Sequence, residues 1–189
     1  MSILTDTLPT ELNICGKNCP IRSDFRTWIK FTQIAVGEER TDVSALVEAV
    51  KLVFKEIPPR FDDAVSAMMY FYSPPKQQSG GKAESNRKRM YDFDYDAELI
   101  YAGFMQQYKI DLCTADLHWW QFRALVDGLG EDTQFYKVMQ YRAMDLSKIK
   151  DKEQKKFYSK MKRFYQLPDN RTEEEKENAI VDALAATFM

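Results

Sequence analysis

Residues 43–72 read VSALVEAVKLVFKEIPPRFDDAVSAMMYFY, and this stretch decides the fold class. Val43, Leu46, Val47, Val50, Val53, Phe54 and Ile57 recur at intervals of three and four, the spacing of one helical face. Thr41 or Asp42 supplies the cap and Pro58-Pro59 the stop. A second helix follows over 61–72. Val65, Met68, Met69, Phe71 and Tyr72 make it apolar on most sides, which predicts a central place in the core. Pro74-Pro75 ends it. Two adjacent helices with proline punctuation, and no comparable run of strands, set the expectation of a mainly α protein.

Upstream, residues 11–22 read ELNICGKNCPIR, a β-hairpin pattern around a Gly-Lys-Asn centre, with Pro20 at the edge of its second strand. From Ser23 the period becomes helical. Ser23 reads as an N-cap and Asp24 as a first-turn acid. Phe25, Trp28, Ile29, Thr32 and Val36 form the stripe, and Gly37 the stop.

Downstream, residues 73–90 carry five basic residues and one acid, with Pro, Gly, Gln and Ser, which predicts a flexible basic loop or linker. Residues 91–96 alternate aromatic and acid, YDFDYD. The alternation suits an extended strand, but the helical stretch that follows favours the acid-rich entry to a helix running to about residue 108, with its cap among Asp92, Asp94 and Asp96. Further helices are expected over 114–127, 132–144 and, after Leu146, a basic helix to Gln166. Thr172 and Glu175 form a capping box before a last helix striped by Ile180, Val181, Leu184 and Phe188. The expected fold is a helical domain of about seven or eight helices with a small N-terminal β-hairpin. It divides into residues 1–72, the segment 73–90, and a helical region 91–189 packed with the first as one domain.

The chain has 189 residues, 44% hydrophobic and 30% charged, enough to bury a core. Its formal net charge of −2 argues against a globally basic nucleic-acid binder. The N-terminus MSILTDTLPT has no basic start and no apolar core of signal-peptide length. No apolar run approaches the roughly 18 residues of a membrane span. Three cysteines, an odd number, fit a reducing compartment. The expected location is the cytoplasm.

Candidate chemistry is sparse. Cys15, Cys19, Cys113 and the single His118 have spacings that overlap structural zinc sites, but Cys113 lies far from the first pair and small apolar cysteines explain them better. Asp92, Asp94, Asp96 and Glu98 lack the glycine and distal glutamate of a calcium loop; the helix dipole accounts for them. His118-Trp119-Trp120 reads as core packing. There is no nucleophile elbow and no phosphate-binding loop. The expectation is a protein without catalytic, cofactor or metal residues.

Residues 148–163 hold eight basic residues and two acids, interleaved with Phe157, Tyr158 and Met161, with Phe164 and Tyr165 following. Such a helix can track phosphate, or it can place an apolar stripe on the core and a charged face in water. With a balanced global charge, a protein–protein surface is favoured over nucleic acid, and the segregated charge suits head-to-tail self-association. Lys155, Lys160 and Arg163 are the candidate contacts for an acidic partner, and the 73–90 segment is expected to order on binding.

Two long blocks carry a resemblance. They are YDFDYDAELIYAGFMQQYKIDL, residues 91–112, and LHWWQFRALVDGLGEDTQFYKVMQYRAMDLSKIKDKEQKKFYSKMKRFYQLP, residues 117–168; SDFRTWIKF, residues 23–31, fits with them. They resemble the bacteriophage "gene product fifteen" family of phages and prophages of Gram-positive bacteria. The genes of that family typically precede the tape measure gene of long-tailed phages, where tail assembly chaperones are encoded. The resemblance implies a largely helical tail assembly chaperone in the bacterial host's cytoplasm. It would bind the tape measure protein and bring tail tube protein to it, with no catalytic residue to carry over. A minor structural tail protein, or a nucleic-acid-binding protein using the basic helix, are the alternatives.

Overall fold

The hairpin comes first in the computed structural model, which describes residues 3–35, 43–73 and 90–168. Strands β1 (Glu11–Ile14) and β2 (Lys17–Pro20) pair antiparallel, Ile14 opposite Lys17 and Glu11 opposite Pro20. The turn is Cys15-Gly16, one residue earlier than the Gly-Lys-Asn centre expected. Both residues have positive φ (52° and 81°), the two-residue geometry that matches the twist of the strands. Lys17 and Asn18 therefore belong to β2. The hairpin turns Ile14 and Cys19 into the core, and the next residue past Pro20, Ile21, follows them and bridges to Phe54.

Seven helices are present among the described residues: α1 (Phe25–Ala35), α2 (Val43–Val53), α3 (Phe61–Tyr72), α4 (Ala97–Gln107), α5 (Trp119–Asp127), α6 (Gln134–Ala143) and α7 (Lys152–Phe164). The chain is mainly α with a small N-terminal β-hairpin. Val36, Gly37, Thr41, Asp42, residues 74–89 and the helix expected from Thr172 lie outside the described residues.

Several boundaries differ from expectation, each for a local reason. α1 is capped by Asp24, not Ser23: its carboxylate accepts from Thr27 N at 3.0 Å and Thr27 Oγ1 at 2.8 Å, leaving the Ser23 carbonyl to accept from Trp119 N. α2 ends at Val53 because the chain there turns extended to meet the hairpin. Arg22 N donates to Val53 O, and Arg22 Nη1 donates to the carbonyls of Leu52 and Phe54. Of the stripe assigned to α2, Val50, Val53 and Phe54 are buried. Val43, Val47 and Ile57 are exposed, and Ala45 and Ala49 face the core instead. α3 has the expected limits but buries one face only: Ala64, Met68 and Phe71 point inward, Met69 and Tyr70 outward.

The core is aromatic. Trp28 stands 4.4 Å from Phe71 and Phe25 stacks on Phe122 at 4.6 Å, centroid to centroid. Trp119, from beyond the undescribed segment, stacks on Tyr72 at 5.4 Å and on Trp28 at 6.4 Å. A short antiparallel bridge between Asp24 and His118 sets the entries of α1 and α5 side by side. Rings this large, fully buried, dominate the packing energy; replacing one by alanine costs about 3–5 kcal/mol.

Candidate partner-binding surface

The basic segment is assembled from α6 outward. Thr133 caps α6, accepting from Tyr136 N, and Phe135 and Val138 fix that helix to the core. After Ala143 the chain makes a 3-10 turn at Leu146–Lys148, pinned by Asp145, whose Oδ1 accepts from Ser147 N at 3.0 Å and Ser147 Oγ at 2.7 Å. Those bonds hold the Asp145 carboxyl below its usual range. α7 then begins at Lys152, because Asp151 accepts from Gln154 N at 2.7 Å. The basic helix is thus shorter at both ends than the span from Leu146 to Gln166. Glu153 lies in its first turn and Lys162 and Arg163 in its last, each favourable to the helix dipole.

One side chain holds this arrangement to the rest. Arg142 forms a two-pronged ion pair with Asp96, Nη1 to Oδ2 at 2.6 Å and Nη2 to Oδ1 at 2.8 Å, with both side chains buried. Its Nη1 also donates to Met90 O at 3.0 Å and its Nε to Tyr165 O at 2.6 Å. The guanidinium therefore joins the entry of α4, the chain at Met90 and the end of α7. Asp96 Oδ2 accepts from Asp92 N as well, so its charge is fully engaged. Sequence reading missed Arg142. Its only local signal is an arginine four residues after the inward-facing Val138, on the helix's buried side.

α7 buries no residue. It rests on α6 through Tyr141, whose ring stacks on Tyr165 at 5.8 Å and meets Tyr158 at 6.3 Å, and through Lys162 Nζ, which donates to Met144 O at 2.6 Å. From this docked edge, where Phe157 also meets Tyr141 edge-on at 6.4 Å, runs a line of Phe157, Met161 and Phe164, at helical positions i, i+4 and i+7. Phe157 is 50% exposed and Phe164 70% exposed. The alternative of an apolar stripe turned wholly into the core does not hold.

The three candidate contacts are all exposed, and among the described residues none forms an ion pair. They do not form one patch. At about 100° per residue, Lys160 and Arg163 stand about 60° apart, next to the Phe157–Phe164 line. Lys155 lies about 140° round the helix from Lys160. Lys156 and Lys152 fall on the face of Lys160 and Arg163, spaced i, i+4, i+8 and i+11 with them. The surface is an aromatic ridge with a cationic margin, from which Lys155 is excluded.

The other candidates resolve into structural roles. Both Trp side chains of α5 cap α3: Trp120 Nε1 donates to Phe71 O at 2.8 Å and Trp119 Nε1 to Tyr72 O at 3.1 Å, and Arg123 also donates to Tyr72 O. His118 is the N-cap of α5, which begins at Trp119 and not at Thr114. Its Nδ1 accepts from Trp120 N at 3.1 Å, so a proton on Nε2 donates to Pro9 O at 3.0 Å. Burial lowers its pKa, the Pro9 bond opposing. Asp92, not the N-cap Asp96, receives the backbone N–H groups of Asp94 and Tyr95 in the turn before α4. Cys19 is buried, Cys113 exposed, and Cys15 donates its thiol to Asp63 at 2.9 Å, which pushes that thiol up. Among the described residues no three His, Cys, Asp or Glu side chains converge on a metal position. A cleft of about 200 Å³ lies between α5 and α6, lined by Tyr91, Val126, Asp127, Leu129, Phe135 and Met139 among others. Burial and nearby Asp127 push the Tyr91 hydroxyl up to about 12. No described helix is long and apolar enough to cross a membrane.

Neither a curated protein nor a solved structure matches the chain. A family model does, over residues 4–167, from ahead of the hairpin to past the end of α7, and its description is Bacteriophage Gp15 protein. A match over that much of the sequence settles the family: the chain belongs to the Bacteriophage Gp15 protein family.

Proposed function

We propose that this phage protein is a tail assembly chaperone that binds the tape measure protein and helps recruit tail tube subunits, acting by binding and not by catalysis. The observation that carries the reading from family to mechanism is the ridge of α7. A helical client with unoccupied apolar faces is recognised by apolar side chains at i, i+4 and i+7, and acidic residues beside that client's stripe find Lys160 and Arg163. Exposed Phe157 and Phe164 supply the rigid aromatic area that dominates such contacts. Many copies along one long client add avidity without a strong single contact.

The test is co-expression with the tape measure protein of the same phage. The reading expects that protein to become soluble and to co-purify, and an unrelated helical protein not to replace this chain. An insoluble tape measure protein with nothing co-purifying, even when the gene upstream is included, overturns it.

The cationic line Lys152, Lys156, Lys160 and Arg163 favours one second reading, a phosphate-tracking surface for nucleic acid. Binding to a DNA duplex that weakens steeply with salt, and is lost on reversing those four charges, would select it.

A further inference from the structure

The ridge of α7 has a complement elsewhere in the described fold. On α4, Tyr101 and Met105 face outward, 37% and 39% exposed, and exposed Glu98 joins them at positions i, i+3 and i+7 of one helix face. That line is as long as Phe157, Met161 and Phe164 on α7, and the charge around it is opposite. From Tyr91 to Tyr108 the chain has four acids and no lysine or arginine. Asp94 and Glu98 are exposed at one end of the line. Asp111 stands beside the Tyr101 hydroxyl and pushes its pKa up. Exposed Asp132 lies at the other end, where Gln106 donates to its carbonyl at 3.0 Å. Among the described residues none of these four acids forms an ion pair. The next cation along the chain, Lys109, is turned back onto the carbonyl of Gln106. α7, by contrast, carries six basic residues against Glu153. Two other exposed apolar faces fit it less well. Met69 and Tyr70 on α3 are adjacent in sequence, so they stand about 100° apart and form no line. Val43 and Val47 on α2 line up with Lys51, a like charge.

We propose that α7 of one molecule docks on α4 of a second copy, setting Phe157, Met161 and Phe164 against Tyr101 and Met105 and the cationic margin among the acids around α4. The contact joins unlike surfaces, and each copy carries both, so association runs head to tail. One helix on another buries little area, which makes the contact a weak, reversible one. A client helix on the α7 ridge displaces the neighbouring copy. The contact therefore belongs to the free protein, and its test needs no client.

Sedimentation velocity on the full chain alone, from about 10 to about 500 µM, tests it. The proposal expects reversible association within that range, weakening as salt rises. Phe157→Ser with Phe164→Ser should weaken it at least about 10-fold, and so, separately, should Tyr101→Ser with Met105→Ser. Mixed one to one, those two variants should associate again, and only as dimers, because each supplies the ridge the other lacks. Glu98→Lys changes an exposed side chain and should weaken association roughly 3-fold to 10-fold, whether or not the Tyr101 and Met105 changes disturb α4. Tyr70→Ser should change nothing. A monomer at every concentration overturns the proposal, as does association indifferent to Glu98→Lys or to either pair of serines. A mixture that stays monomeric, while both double variants keep the urea midpoint of the unchanged chain, also overturns it.

Discussion

Arg142 is the residue on which the placement of α7 turns. Its guanidinium reaches Asp96, Met90 and Tyr165 at once, and removing it strands a buried carboxylate. Arg142→Ala should lower stability by about 3–5 kcal/mol in urea unfolding. Arg142→Met with Asp96→Leu should cost less than either single change, because no charge is then left unpaired; equal or larger loss in the double variant would contradict the account. His118 sets a pH dependence. Its folded pKa lies below the ordinary 6.5, so the unfolded chain binds the proton first as pH falls. The stability its neutral form contributes is complete above about pH 7 and is lost as pH drops through 6.5 toward the folded value. His118→Asn keeps an N-cap acceptor and should flatten the urea midpoint between about pH 7 and pH 5.5; an unchanged slope would rule this out. Neither role is legible locally. Arg142 and Asp96 stand 46 positions apart, and nothing beside either one names the other. A histidine cap looks like any histidine before a helix.

At the scale of elements, periodicity found the seven helices of the described residues and capping chemistry corrected their ends. The α2 stripe shows where the pattern misleads. Val43, Leu46, Val47, Val50 and Ile57 have the right spacing, yet the helix stops at Val53 once Ile21 pairs with Phe54, and a pairing between segments so far apart leaves no trace in a local window. The loop before α5 escaped for a related reason: Arg26 donates to the carbonyls of Leu112, Cys113 and Ala115, holding residues 111–117 out of helix. α7 is the least embedded element, a 13-residue helix that would be marginal alone and rests on Tyr141, Arg142 and Lys162. Tyr141→Ala should therefore speed amide exchange throughout α7 while the core helices keep their protection, with a global loss of only about 1 kcal/mol. Exchange rising equally in α3 and α5 would show that α7 is integral to the core.

For the whole molecule, the aromatic core and the basic helix divide the work. Trp28, Phe71, Trp119 and Phe122 hold the first helices to those after the 74–89 segment, and the Trp119-Trp120 pair that stood out in the sequence proves to cap α3. The proposed binding surface was half legible. A basic, aromatic helix was visible, with Lys155, Lys160 and Arg163 taken together as its contacts. Its geometry was not, because which side of α7 docks depends on Tyr141 and Tyr165. Lys155 accordingly falls outside the ridge, and Phe157 and Phe164 enter it. The measurement that tests the central claim most directly is co-purification of the tape measure protein with three forms of this chain: unchanged, Phe157→Ser with Phe164→Ser, and Tyr70→Ser as a control at a similarly exposed aromatic on α3. The account predicts at least about a 10-fold loss of co-purified partner for the α7 variant and none for the control, since buried aromatic anchors carry most interface energy. Equal recovery with all three forms would contradict it.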